Sequence, residues 1–239
     1  MQQLIQKIFP YYREIRQKIH SNPELRYEET QTAALITQEL KKLGLTPQVN
    51  VGKTGVVAIL DSGKPGKTLA LRADMDALPL QEETQLPYQS HLNGKMHACG
   101  HDGHVATLLA TAHVLCENRS QLFGKVKFIF QPAEEGGAGA KAMIEDGVLA
   151  NPQVDAIFAY HNHPGAPLGH LLAKSGCSLY GNTEFTINIQ GKGGHAAQPE
   201  TVIHPIVIGS EITLILKKVM EDLSQENAPT VISVTQFFK

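Results

Sequence analysis

Short apolar runs alternate with amphipathic segments along most of this chain, and that alternation restricts its fold more than any other feature. Residues 126–130 and 154–160 are mainly apolar runs of strand length, which is typical of strands buried on both faces. Apolar residues at helical spacing predict helices at about 28–43 and 138–146, closed by Gly44 and Gly147. The pattern therefore predicts an α/β sandwich around a mixed, largely buried sheet.

Local signals predict the other elements of this first part. The N-terminus reads as helix with a kink or break at Pro10, because proline lacks the N–H that a helix interior needs. Residues 56–60 and 68–71 are short β-prone runs, joined by a Gly- and Pro-rich segment that reads as a hairpin or tight loop. Asp102 precedes a further helical pattern, either as its N-cap or as a carboxylate that supports a metal ligand.

The pattern changes near Gly181, which predicts a second domain. Residues 184–189 alternate polar and apolar side chains, as a half-exposed strand does. After this strand the sequence predicts a Gly-rich turn, a helix at about 203–223 and a strand at 230–237. We therefore predict a catalytic domain over residues 1–180 and part of a smaller α+β domain over residues 181–239.

Composition and charge exclude several classes of protein. The 239 residues include 42% hydrophobic residues and carry a formal charge of −2 without a block of Lys and Arg, so neither nucleic acid nor a membrane is an expected partner. No apolar run reaches the length of a membrane span, and the N-terminus lacks the pattern of a signal peptide. The cysteines are few and odd in number (Cys99, Cys116 and Cys177), which favours a reducing compartment, the cytoplasm.

One short segment is rich in groups that bind metal ions. Residues 96–104 read Met-His-Ala-Cys-Gly-His-Asp-Gly-His. Imidazole and thiolate suit zinc and similar first-row metals. Cys99 and His101 are two residues apart, so on an extended segment both side chains leave the same face. This spacing favours one ion, or two neighbouring ions, bound by both residues.

Two adjacent glutamates follow the buried run at 126–130. Glu134 and Glu135 precede Gly136 and Gly137, which allow the backbone to approach an ion closely. In an extended conformation neighbouring side chains point to opposite sides, so one carboxylate would bind metal while the other faces substrate. That division fits a ligand and a general base.

The remaining histidines leave alternatives open. His161 and His163 follow the second apolar run at two-residue spacing, and the sequence does not choose between them as ligands. His97 and His104 lie close enough in sequence to the metal-binding segment to be neighbours of the site. The other histidines outside the Gly-rich turn, His20, His91, His113, His170 and His204, read as surface or packing residues.

Taken together, the motifs resemble one family of enzymes. The chain is similar to the metal-dependent amidohydrolases and carboxypeptidases that include aminoacylases, hippurate hydrolase and carboxypeptidase G, and most similar to the branch that acts on N-acyl amino acids such as hippurate and auxin conjugates. The motifs in order are Arg16–His20, Asn22–Leu25, Leu71–Pro79, Met96–His104, Gln131–Gly137, His161–Pro164 and Gly193–Ala197. The resemblance implies a zinc-exopeptidase-like α/β/α sandwich and a ferredoxin-like lid or dimerisation domain.

The resemblance also assigns residues. It makes the metal ligands Cys99, His101, Glu135 and His161, with Cys99 at the position of a metal-bridging group. It makes Glu134 the general base and His195 a substrate-binding residue of the lid domain, often acting across a dimer. Many relatives outside this branch have a His-x-Asp pair where this chain has Asp74-Met75-Asp76. His101 is therefore expected to replace that histidine, and Asp76 to support a ligand as an outer carboxylate.

The function implied by the resemblance is hydrolysis of the amide bond in small N-acyl amino acids by two divalent ions, manganese or zinc. The alternatives are a metallo-dipeptidase or carboxypeptidase, and a truncated, non-catalytic metal-binding remnant. Family members continue well beyond this length, which predicts a C-terminally truncated chain that is a poor catalyst by itself. A homodimer through the lid domain is expected for the longer form.

Overall fold

The computed structural model describes residues 1–176, 181, 183–225 and 230–238. The chain divides into two compact units, Met1–Leu168 and Gly169–Lys239, which are described separately. Cys99 and Cys116 are free thiols, and Cys177 lies outside the described residues. Among the described residues, none of the helices combines the length and apolar character needed to cross a bilayer.

The first unit contains four helices and five strands among its described residues. The helices are α1 (Gln2–Ser21), α2 (Thr30–Lys42), α3 (His101–Glu117) and α4 (Gly139–Glu145). The strands are β1 (Gln48–Val51), β2 (Gly55–Asp61), β3 (Thr68–Asp74), β4 (Lys125–Gln131) and β5 (Ala156–Ala159). The predicted elements at 28–43, 126–130 and 138–146 correspond to α2, β4 and α4.

The sheet is mixed, with the strand order β1-β2-β4-β3-β5. β3 pairs in parallel with β4 and β5, whereas β2 is antiparallel to β1 and β4. The parallel strands end at the same edge, where Asp74 of β3 lies beside Gln131 of β4. The segments that follow β3, β4 and β5 therefore begin near one another, as is usual for sites in α/β sheets.

Helices cover both faces of the sheet. Phe128 and Phe130 of β4 belong to a large core that includes residues of α1, α2 and α3. Ile129 points to the opposite face and joins a smaller core with Met143 of α4. This arrangement confirms the predicted α/β/α sandwich.

The structure differs from several local predictions in this unit, and one strand was missed. The helix does not break at Pro10: α1 continues through it, because the proline is exposed and the buried face of α1 packs on the core. The segment at 61–66 is the tight loop and not the hairpin of the two predicted alternatives, since β4 lies between β2 and β3. β1 was not predicted. β5 is not buried but lies at the edge of the sheet, with Phe158 61% exposed.

The second unit contains the predicted helix, α5 (Pro205–Gln225). Its Gly-rich turn is fixed by a pair of backbone hydrogen bonds between Lys192 and Ile203. The strands predicted at 184–189 and 230–237 are not formed among the described residues, because neither segment pairs with a neighbour in a ladder. The expected α+β character of residues 181–239 is therefore only partly represented.

Candidate metal centre

The candidate site lies where the parallel strands end and α3 begins. Asp76 follows β3, Glu134 and Glu135 follow β4, and His161 follows β5. His101 is the first residue of α3. Gly100 before it has a φ of +87°, and a side chain there would collide with Asn162. The turn at Gly100, rather than the extended segment predicted from the sequence, sets the orientation of Cys99 relative to His101.

His101 is fully buried at the centre of this group. Its Nδ1 lies 2.9 Å from the backbone oxygen of Asp76 and 3.2 Å from Asp76 Oδ1, so Nδ1 carries the proton and donates it. Once Nε2 gives up its proton, its lone pair is available to a metal ion, and Nε2 has no hydrogen-bond partner among the described residues. The fold therefore presents an imidazole prepared to act as a ligand.

Negative groups surround His101. Burial lowers the pKa of His101, but the hydrogen bond with Asp76, the neighbouring Cys99 thiol and the nearby carboxylate of Asp74 outweigh burial and raise that pKa to about 11. The same surroundings favour a divalent cation, which would compete with the proton for Nε2.

Asp76 links two parts of the site. Its buried carboxylate accepts a hydrogen bond from His101 at Oδ1 and from the backbone N–H of Glu135 at Oδ2, over 2.8 Å. The carboxylate therefore orients His101 and fixes the backbone at Glu135. This is the placement expected for an outer carboxylate that supports ligands.

Glu134 and Glu135 lie in a turn, not in the extended conformation predicted from the sequence. Their side chains consequently do not point to opposite sides: a carboxylate oxygen of each lies 3.9 Å from His101 Nε2. The Glu134 side chain is 43% exposed, whereas Glu135 is less exposed at 23%. Burial raises the pKa of Glu135, and Oε1 of this residue is buried without a hydrogen-bond partner among the described residues.

Cys99 and His161 form the outer part of the group. Cys99 Sγ lies 3.3 Å from His161 Nε2. His161 Nδ1 lies 2.8 Å from the backbone oxygen of Asn162, to which it donates, so Nε2 faces the thiol with its lone pair. The structure thus brings His161, and not His163, against Cys99.

The donor atoms fit a metal ion. Buried polar atoms are almost always hydrogen-bonded, yet His101 Nε2 and Glu135 Oε1 lie 3.9 Å apart with no such bond among the described residues. A cation between them would satisfy both atoms. Three groups of ligating atoms, each within 4.8 Å of one another, share His101; its companions are Cys99 with His161, Glu134 with Glu135, and Asp74 with His104. Nitrogen, sulfur and oxygen donors of this kind suit zinc, and carboxylates also suit manganese.

Asp102, which follows His101 in the chain, forms hydrogen bonds with polar residues of α1. Asp102 is not the N-cap of α3, since Gly100 holds that position and Asp102 lies in the first turn. Its buried carboxylate accepts hydrogen bonds from Arg16 and His20, each over 2.9 Å. His20 is therefore neither a surface nor a simple packing residue. The spacing of Arg16 and His20 on one face of α1 was the only sequence signal for this contact.

The two histidines left open by the sequence differ. His104 Nδ1 lies 2.6 Å from Asp74 Oδ1, and its Nε2 lies 2.5 Å from Asn162 Oδ1. His104 therefore connects β3 with the residue after His161. His97 is buried, with neither ring nitrogen hydrogen-bonded among the described residues, and burial lowers its pKa to about 4.

His195 lies in the second unit, in the Gly-rich turn. The turn lines a cavity of about 580 Å³ within that unit. His195 Nδ1 accepts a hydrogen bond of 3.1 Å from the backbone N–H of Ala197. Its proton is therefore on Nε2, which is free to donate to a ligand.

Comparisons with known proteins identify relatives of this chain. The family model of peptidase family M20/M25/M40 matches residues 70–238. The chain is 45% identical to IAA-amino acid hydrolase ILR1-like 2 of Arabidopsis thaliana over 96% of its own length and 52% of that protein. It is 42% identical to hippurate hydrolase of Campylobacter jejuni over 95% of its length and 58% of that enzyme.

A solved structure from the same family is also similar to this chain. The Bacillus subtilis YXEP protein, described as a dinuclear metal binding peptidase from the M20 family, superposes with a TM-score of 0.66 and 42% sequence identity. The match covers 69% of this chain and 45% of that structure. The chain thus spans about half the length of the relatives that it matches.

Proposed function

The chain belongs to peptidase family M20/M25/M40, and from that membership we propose that it hydrolyses the amide bond of small N-acyl amino acids at a metal centre in its first unit. The observation that carries the proposal is a pair of buried atoms, His101 Nε2 and Glu135 Oε1, that have no hydrogen-bond partner in the part of the chain that the structure describes. The names of two relatives, hippurate hydrolase and IAA-amino acid hydrolase, support an N-acyl amino acid as the substrate class.

We assign the metal ligands to Cys99, His101, Glu135 and His161. Two divalent ions, zinc or manganese, would bind these residues, polarise the amide carbonyl and lower the pKa of a bound water. The support from geometry is the convergence on His101 and the contact between Cys99 and His161. Asp76 holds the His101 tautomer that leaves Nε2 free.

Glu134 is the proposed general base. Its side chain is 43% exposed, so that carboxylate reaches solvent and substrate while staying 3.9 Å from His101 Nε2. Glu134 takes a proton from the attacking water and delivers it to the departing amine, serving first as base and then as acid. The more buried Glu135 is the better ligand of the two neighbours.

His195 is the proposed partner of the substrate oxygen. Because its Nδ1 accepts the Ala197 N–H, the Nε2–H is available to donate to the negative oxygen that forms during hydrolysis. One donor of this kind commonly contributes about 3–4 kcal/mol. We further propose that residues 181–239 belong to a lid and dimerisation domain, that residues 1–180 form the catalytic domain, and that the protein acts in the cytoplasm as part of a homodimer.

The test is a hydrolysis assay of the chain loaded with Mn²⁺ or Zn²⁺. N-benzoylglycine and N-acetyl amino acids are compared with dipeptides and with peptides that carry a free C-terminal residue. We expect hydrolysis of the N-acyl amino acids that disappears with a chelator, at a turnover below the ordinary range of about 1–10³ per second. Cleavage of the peptides alone would instead establish an exopeptidase. Bound metal without hydrolysis of either class would establish a metal-binding remnant.

A further inference from the structure

The turn that carries the two glutamates has an unusual backbone. We call residues Gln131–Gly137 the acidic turn. Ala133 within it is fully buried and has a φ of +50°, in the left-handed region that alanine adopts rarely. Its backbone oxygen accepts the N–H groups of Gly137 and Gly139, over 3.2 and 3.1 Å. The conformation of Ala133 therefore sets the direction in which the next two residues project.

A single buried carboxylate holds Ala133 from outside the turn. Glu29, at the start of α2, has no exposed surface. Its Oε1 accepts the Ala133 N–H over 2.8 Å, and its Oε2 accepts the Thr54 hydroxyl over 2.5 Å. Among the residues that the structure describes, no Lys or Arg forms an ion pair with Glu29. A charge buried without a cation is costly, and burial raises the pKa of Glu29, whereas the hydrogen bonds from Thr54 and Ala133 stabilise its carboxylate form.

Two neighbours of Glu29 contact the same turn. The Tyr27 hydroxyl donates to the backbone oxygen of Gly137 over 2.6 Å. Arg26 donates to the backbone oxygen of Glu135 over 3.2 Å. Both of these groups are exposed or partly exposed, whereas the Glu29 contact is completely buried. Of these three hydrogen bonds, the one to Glu29 is shielded from solvent, so water cannot replace it.

We infer that Glu29 is a positioning residue of the metal centre: its carboxylate holds the acidic turn so that Glu134 and Glu135 both face His101. The inference rests on the proposed function in one respect, the role of Glu135 as a ligand. A carboxylate suits the position because it only accepts hydrogen bonds. Glutamine would place an NH₂ group against donors and push the turn away from His101.

The chain offers a matched control. Glu24 is also buried near the start of α2, and its carboxylate accepts the N–H groups of Gln31 and Thr32 over 3.0 and 2.8 Å. The hydrogen bonds of the Glu24 side chain among the described residues are with Thr30, Gln31 and Thr32, and none is with the acidic turn. Glu24→Gln makes the same chemical change at a buried glutamate, and it should weaken the start of α2 without disturbing the metal ligands.

The experiment titrates the wild-type chain, Glu29→Gln and Glu24→Gln with Co²⁺, recording the absorption bands that report ligand number and geometry. Thermal unfolding of the metal-free proteins is measured in parallel. We expect Glu29→Gln to weaken Co²⁺ binding by about 10- to 100-fold and to change the spectrum, as is typical when an outer partner of a ligand is lost. Glu24→Gln should lower the unfolding temperature but keep the wild-type affinity and spectrum.

Thr54→Val covers the case in which Glu29→Gln does not fold. It removes only the hydroxyl that donates to Glu29 Oε2, so Co²⁺ binding should weaken by about tenfold or less. Wild-type affinity and spectrum in the folded Glu29→Gln variant, or in Thr54→Val where Glu29→Gln is unfolded, would overturn the inference. Failure of the wild-type chain itself to bind Co²⁺ would instead contradict the proposed function, and both would then be rejected.

Discussion

The closed and open sides of the metal centre differ in how the protein holds them. We define the closed side as Asp76, His101 and Glu135, and the open side as Cys99, Glu134 and His161. On the closed side His101 and Asp76 are buried, and two hydrogen bonds join Asp76 to His101 and to the Glu135 backbone. On the open side His161 is exposed and Cys99 is half-buried. The fold fixes the closed side, whereas we propose that a bound ion completes the open side.

The largest effect should come from separating the two neighbouring glutamates. Glu134→Gln removes the proposed base but no proposed ligand, so turnover should fall by about 10²–10⁴-fold while metal content stays at the wild-type level. Glu135→Gln should instead lower the metal content. The measurement is metal analysis together with the N-acyl amino acid assay. Loss of metal from Glu134→Gln would move that residue into the ligand group and contradict the assignment.

Breaking the closed side should cost both affinity and stability. The two carboxylate oxygens of Asp76 accept hydrogen bonds from His101 and from the Glu135 backbone. Asp76→Asn replaces one of these oxygens with an NH₂ group, which cannot accept. Metal affinity should fall by about 10–100-fold. The free energy of unfolding of the metal-free protein should fall by about 1–3 kcal/mol, because a buried partner is left unsatisfied. Calorimetric titration and urea unfolding measure the two quantities, and an unchanged stability would show that the closed side is not preformed.

The contribution of the ion pair between His20 and Asp102 to stability should depend on pH. The hydrogen bond to Asp102 raises the pKa of His20 above 6.5, and burial opposes that shift. Charged His20 therefore stabilises the folded state fully below pH 6.5, and this contribution is lost as pH rises through the higher pKa of the folded protein. The stability difference between wild type and His20→Gln should shrink over that range in urea unfolding. A difference that grows with pH would contradict the ion pair with Asp102.

The smallest effect is expected on the open side. Cys99→Ser and His161→Gln change a half-buried and an exposed side chain that contact each other. The stability of the metal-free protein should therefore change by no more than about 0.5 kcal/mol, although metal binding weakens. Thermal unfolding with and without Zn²⁺ separates the two quantities. A large loss of stability in the metal-free variants would remove the distinction between the two sides.

The parts of the fold that could be predicted are those that local sequence determines. The apolar run at 126–130 became β4 because its side chains pack into cores on both faces of the sheet. The helix predicted at 28–43 became α2 because Ile36 and Leu40 on one of its faces pack into the larger core. Pro10 misled the prediction, because packing of the α1 face outweighs one missing hydrogen bond. Pairing of β2 with β4 depends on distant segments, which a local pattern does not report.

The features of the site also divide into those that local sequence determines and those that depend on distant segments. Cys99, His101 and the two glutamates were predicted from short motifs, and the structure brings them together with His161. Contacts between distant segments were not predictable: His20 meets Asp102 across 82 residues, and His104 meets Asp74 across 30. The conformation of the acidic turn was also missed, because a left-handed Ala133 depends on Glu29 from another part of the chain.

Anomalous diffraction at the metal absorption edge, from crystals of the chain grown with Zn²⁺ or Mn²⁺, tests the central claim most directly. We predict a metal peak within about 2.0–2.3 Å of His101 Nε2 and of a Glu135 oxygen, with Cys99 and His161 completing the group. The Asp76 carboxylate should keep its hydrogen bonds to His101 and Glu135. A peak that lies away from His101, or a map with no peak at this edge of the sheet at millimolar metal, would contradict the claim.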